Sequence, residues 1–81
     1  MIQEINKIFN ADLMAKSRKQ NNVFARIAYS KTQRNQGRTL QSIGEEIGKG
    51  HDTIIYYCIQ HEQLYKFDQD YKIRFNQLTN N

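Results

Sequence analysis

The sequence predicts an all-α fold, a small helical bundle containing a helix-turn-helix. Three observations predict it. Proline is absent from all 81 residues, so nothing in the composition breaks a helix interior. Apolar residues recur at spacings of three and four in several separate stretches, the period of a helix with one buried face. Glycine is scarce, and Gly48-Lys49-Gly50 interrupts two such stretches with a turn of minimal length. Eighty-one residues make one domain, enough for four or five short helices around a modest core.

The first stripe is Ile2, Ile5, Ile8, Phe9 and Leu13, an amphipathic helix over about residues 2–14. Residues 1–14 are therefore set apart as an N-terminal amphipathic helix, and 15–81 as the helix-turn-helix domain. The helix can pack on the domain that follows, end a linker, or dock a protein partner. AKSRKQNN is polar, basic and poor in apolar anchors, and reads as a loop. A helix is expected from about Asn22 to Asn35, with Val23, Ile27 and Ala28 facing the core and Phe24 or Tyr29 at its edges. Arg26, Lys31 and Arg34 fall on or near its exposed side. NQGR stops it, with Gly37 suited to a left-handed cap.

Thr39 is a good N-cap for the next helix, whose stripe is Leu40, Ile43 and Ile47. Gly44 lies in mid-helix, where it costs stability, and the close approach of a neighbouring helix would explain it. After Gly48-Lys49-Gly50 a long helix is expected from about His51 to Lys66. Ile55, Cys58, Ile59 and Leu64 form its apolar set, with Ile54 and Tyr65 at the margins. Phe67-Asp68 ends it, Asp68 can cap a last helix, and Tyr71, Phe75 and Leu78 point that helix inward. Tyr65, Phe67, Tyr71 and Phe75 read as core residues more simply than as a base-stacking platform.

The net charge is +4, and its distribution matters more than its size. From Leu13 to Gly44 the chain carries Lys16, Arg18, Lys19, Arg26, Lys31, Arg34 and Arg38 and no acid. A field of one sign attracts a polyanion and steers its approach, although a basic stretch also serves solubility. Cys58 is the single cysteine, so no internal disulfide is expected and a reducing, cytoplasmic setting fits. MIQEINKIFN lacks the layout of a signal peptide, and no apolar run approaches membrane-spanning length. His51 and His61 are ten apart with Cys58 between them, a poor metal spacing, and no cofactor is expected. Glu45 and Glu46 are adjacent and point in different directions on a helix, and IGEEIGKG is not a phosphate-binding loop. An enzyme is not expected.

A short helix, a glycine turn and a longer helix are the order of a helix-turn-helix. The polar residues gather where a recognition helix meets base edges, at Lys49, His51, Asp52 and Thr53. His51 suits a base edge or a phosphate, or alternatively a helix cap. Thr53 offers a methyl to thymine and a hydroxyl to a base or phosphate, and Asp52 either accepts from a cytosine amino group or caps the helix. Lys49 would reach a phosphate or base. Of Tyr56 and Tyr57, one would face DNA and the other the core. Lys16, Arg18 and Lys19 are candidates for a minor-groove arm. Arg26 is a phosphate-clamp candidate, and Arg38 with the helix N-terminus at Thr39 would bind the phosphate backbone.

The stretch TLQSIGEEIGKGHDTII at 39–55 resembles the C-terminal DNA-binding domain of the bacterial replication initiator DnaA, a helical domain related in fold to the Trp repressor. Leu40, Ile43, Gly44, Ile47 and Gly48 fall on that family's core and turn positions. Lys49 stands at its arginine, His51 at its histidine, Thr53 at its second threonine and Ile54 at its valine. KSRK at 16–19 resembles its basic loop. Val23, Ala25 and Arg26 resemble the start of its long helix, Cys58 to Leu64 the rest of its recognition helix, and YKIRFNQL its last helix. The resemblance covers about residues 13–78. Gly50 replaces the family's aspartate, Asp52 its first threonine, one turn glycine is missing, and the family's ATPase domain is absent. The resemblance implies double-stranded DNA as partner and replication initiation as setting, with binding as a monomer or weak dimer. A helix-turn-helix regulator, a transposase-type DNA-binding part and a protein-interaction module are the alternatives.

Overall fold

The computed structural model describes residues 1–79, the last of them in its backbone only, so positions 80 and 81 of the predicted domain lie outside the described residues. The fold is all-α. Five helices and no strand are found among the described residues: α1 (Ile2–Phe9), α2 (Gln20–Asn35), α3 (Leu40–Ile47), α4 (His51–Phe67) and α5 (Gln69–Thr79).

α1 is shorter than its apolar stripe. Asn10 turns the chain into the left-handed region at φ 51°, and Ala11 N–H closes the helix on Asn6 carbonyl at 2.8 Å. Asn side chains then hold the turn: Leu13 N–H donates to Asn6 Oδ1 and Asp12 N–H to Asn22 Oδ1, each at 2.9 Å. Leu13 is thus fully buried from a loop rather than from a helix. With Ile5 and Phe9 it joins the common core, so the α1 stripe is consumed inside the molecule. Arg74 of α5 donates to the Ile8 carbonyl at 2.6 Å and pins the last turn of α1.

α2 and α3 end the same way as α1. Gly37 and Gly48 adopt φ of 90° and 73°, and the N–H of the next residue returns to a carbonyl five residues back, Arg38 to Gln33 and Lys49 to Gly44. Thr39 caps α3 by accepting from Ser42 N–H at 3.0 Å, and Asp68 caps α5 by accepting from Tyr71 N–H at 3.0 Å.

α2 is the central helix. Ala25, Ile27, Ala28 and Tyr29 are buried in it, while Val23 and Phe24 are half-buried. The aromatic half of the core lies among α1, α2, α4 and α5, where Tyr71 meets Phe9, Phe24, His61 and Phe75. Tyr65 joins it edge-on to Phe75, but Phe67 is 74% exposed and is not a core residue. The inward face of α4 is Ile54, Tyr57 and His61, with Cys58 and Leu64 half-buried. Ile55 and Ile59, expected inside, lie outside. The run IIYYCI is apolar all round, so its periodicity selects no face. His61 decides it by bonding inside the core, Nδ1 to the Tyr71 hydroxyl at 2.8 Å.

Candidate nucleic-acid interface

The α3–α4 corner is built on Gly44. A β-carbon there would overlap the carbonyl oxygen of Lys49, so it is the turn backbone, rather than a neighbouring helix, that approaches it. This approach folds Gly48-Lys49-Gly50 tightly over α3. α4 then begins at His51, with Gly50 as a cap that has no side chain. Its first turn presents His51 and Asp52 to solvent, their side chains 3.0 Å apart, and Thr53 half-exposed. Tyr57 turns into the core, while Tyr56 is exposed.

The acid-free run from Leu13 to Gly44 resolves into two sets of cations. Four are engaged by the protein itself. Lys31 pairs with Glu62 of α4 at 3.1 Å. Arg34 donates to the carbonyl of Arg38 at 2.5 Å. Arg38, expected on the DNA backbone, turns inward to Glu46 at 2.7 Å, Gln33 Oε1 at 2.9 Å and Ser42 Oγ at 2.9 Å. Tyr29 donates to the same Glu46 oxygen. These bonds, Tyr29 first and Arg38 second, hold the Glu46 carboxyl below its usual range, while burial and the carboxylate push the Tyr29 hydroxyl up. Arg38 therefore braces α2 against α3.

Arg26 is the clearest departure from expectation. It is only 2% exposed, and its guanidinium donates to the carbonyls of Leu13 and Ser17 at 2.8 Å each and to that of Ala15. A phosphate clamp must reach solvent, and this side chain is enclosed. Its position on the helix and the resemblance of this stretch to the start of the initiator domain's long helix put it outward. Its partners are backbone carbonyls, which no residue pattern displays.

The remaining cations of the run, Lys16, Arg18 and Lys19, are exposed and have no ion pair among the described residues. Lys49 of the turn is half-exposed and likewise unpaired. The structure brings these two segments together. Arg18, Lys49, Thr53 and Tyr56 line one concavity of about 540 Å³ floored by Val23, Arg26 and Tyr57. Lys16 and Lys49 share a second, smaller hollow with Glu45 and Glu46. Thr39 is exposed at the far end of α3 and lines neither hollow. No family model matches the chain, and neither the curated proteins nor the solved structures contain a match for it.

Among the described residues no group of three His, Cys, Asp or Glu side chains is placed to hold a metal ion. No helix there is long and apolar enough to cross a membrane. His61 is a core group, buried and bonded to the Tyr71 hydroxyl, and burial lowers it below its ordinary value. Residue patterning missed one surface feature, the outward Ile55 and Ile59 on either side of the exposed Tyr56 on α4. An apolar run at helical spacing offers no signal for it.

Proposed function

We propose that this domain binds double-stranded DNA, with α3, the Gly48-Lys49-Gly50 turn and α4 acting as a helix-turn-helix. The start of α4 enters the major groove, where Thr53 and Tyr56 meet bases and Lys49 and Arg18 meet the flanking phosphates. His51 and Asp52 stand at the same entry, Asp52 as acceptor from a cytosine amino group. Lys16 and Lys19 extend the basic border. One observation carries this reading: two cations without an ion pair among the described residues, Arg18 of the loop and Lys49 of the turn, meet at the first turns of α4 from segments distant in sequence. The resemblance to the initiator's DNA-binding domain favours a replication-related target, and Gly50 and Asp52 alter the residues that would read it.

The test is fluorescence anisotropy with a duplex holding the consensus initiator box and with a scrambled duplex, at several salt concentrations. A preference for the box supports an initiator-like function. Equal, salt-sensitive binding supports a DNA-binding domain with another target or none. Lys49→Ala should weaken binding to every duplex and lower the slope of log affinity against log salt by about 1. Thr53→Ala should change preference among duplexes more than the slope. No binding at low salt would remove the proposal. A protein partner would then be the better reading, favoured by the exposed Ile55 and Ile59, and Ile59→Lys would be the variant to probe it.

A further inference from the structure

We infer that Arg26 is a positioning residue for DNA binding, a buried guanidinium that holds the basic loop in the phase that turns its cations outward. The inference rests on the DNA reading above. Its starting point is the unusual chemistry of the site. A guanidinium keeps its charge in a protein, and burying that charge costs stability unless it is compensated. Among the described residues no carboxylate is paired with it. The compensation is the carbonyls of Leu13, Ala15 and Ser17.

Those three carbonyls belong to alternate residues, and the alternation is the informative part. Leu13 is buried and Ala15 and Ser17 are half-buried, whereas Met14, Lys16 and Arg18 are exposed. One planar donor group at Arg26 thus selects the inward-facing positions of the loop. The side chains out of that phase, Met14, Lys16 and Arg18, two of them cationic, face solvent. A loop with this composition has almost no apolar anchor after Leu13, so without the guanidinium its phase would be free. The three hydrogen bonds engage Nε and Nη2 of Arg26 but do not cancel its charge. An apolar residue of similar volume would fill this space without the cost of a buried charge. What the arginine adds is the geometry of the loop.

The experiment is a double-mutant cycle on the full chain. Arg26→Met is placed in the wild-type background and in a background where Lys16, Arg18 and Lys19 are all changed to serine. Binding to one duplex is measured by anisotropy against salt. In the wild-type background Arg26→Met should weaken binding about tenfold near 0.1 M salt and flatten the salt slope. In the loop-neutralised background it should change affinity by less than about twofold. Equal losses in both backgrounds, or no loss in a wild type that binds, would overturn the inference. Arg26→Lys keeps the charge but cannot span three carbonyls, so it should fall between the two and serves if the methionine variant does not fold. Trypsin supplies a readout without DNA. Cleavage after Lys16, Arg18 and Lys19 should quicken in Arg26→Met relative to cleavage after Lys66, and an unchanged ratio would overturn the strut itself. If wild type binds no duplex, the DNA reading fails and the inference falls with it, while the proteolysis still decides whether Arg26 holds the loop.

Discussion

Ser30 illustrates how a single buried atom sets an energy. It lies on the inner side of α2, fully buried, and its hydroxyl has no hydrogen-bond partner among the described residues. A buried, unsatisfied hydroxyl costs more than the bond it lacks. Ser30→Ala should therefore raise stability by about 1 kcal/mol in urea denaturation, and a loss of that size would show that the hydroxyl is satisfied. His61 and Tyr71 present the opposite case, a buried pair that is bonded and neutral. Burial lowers His61 from 6.5 and raises the Tyr71 hydroxyl, so the folded protein disfavours charge on both. As pH falls, the unfolded chain takes up the histidine proton before the folded one. The contribution of His61 is thus complete above its ordinary value of 6.5 and is lost as pH falls from there toward the lowered folded value. Denaturation midpoints between about pH 7.5 and about pH 5.5 should decline in wild type and stay flatter in His61→Gln. Glu46 acts in a separate window. Its carboxyl is lowered from 4.5, so its contribution is lost only as pH falls below that value.

At the scale of elements, most helix ends were legible, the end of α1 excepted, and helix faces were less so. Thr39, Gly37 and Asp68 are cap residues whose chemistry acts within a few residues, and each performs the expected role, while Gly48, read as a turn residue, is also the left-handed cap of α3. α1 ended before its stripe did, because Asn10 and the Asn6 and Asn22 side chains offered the backbone a better set of bonds than another helical turn. α4 was misphased because a run of six apolar residues supports any face. Gly44 belongs to this scale as well, since its role is to let one element meet the next. Gly44→Ala would gain helix propensity but drive a methyl group into the Lys49 carbonyl. We expect a net loss of at least about 2 kcal/mol by thermal or urea denaturation. An unchanged or raised midpoint would mean that the turn has slack and does not fix the direction of α4.

Across the whole molecule, α1 is part of the single core and not an appended arm. Phe9 packs on Tyr71 with ring centroids 5.7 Å apart, and Arg74 holds the Ile8 carbonyl from α5. Phe9→Ala should cost about 3–5 kcal/mol. Unfolding should stay a single transition, seen together by far-UV circular dichroism and by tyrosine fluorescence, the chain having no tryptophan. A small loss of helix ahead of the main transition would instead mark α1 as detachable. The charge layout also belongs to this scale. Seven cations in one acid-free run look like a uniform field, but folding pairs Lys31 and Arg38 with acids from other elements and encloses Arg26. The field that remains for a polyanion is narrower, and it is centred on the loop and the start of α4.

The amino-acid pattern by itself determined the helical class, the number and order of helices, the caps at Gly37, Thr39 and Asp68 and the glycine corner between α3 and α4. These depend on interactions within a few residues, which spacing and side-chain type record directly. It also marked out Lys16, Arg18, Lys19, Lys49, Thr53 and Tyr56, which the folded chain leaves at least partly open to solvent. Only the tertiary structure decided the fates of Arg26, Arg38 and His61, the face of α4, and the junction of a basic loop with a helix more than thirty residues away. Those outcomes turn on partners brought together by packing: carbonyls of a loop, a carboxylate on another helix, a tyrosine ten residues on. A polar side chain is drawn inward when such partners are waiting for it, and no local pattern says whether they are.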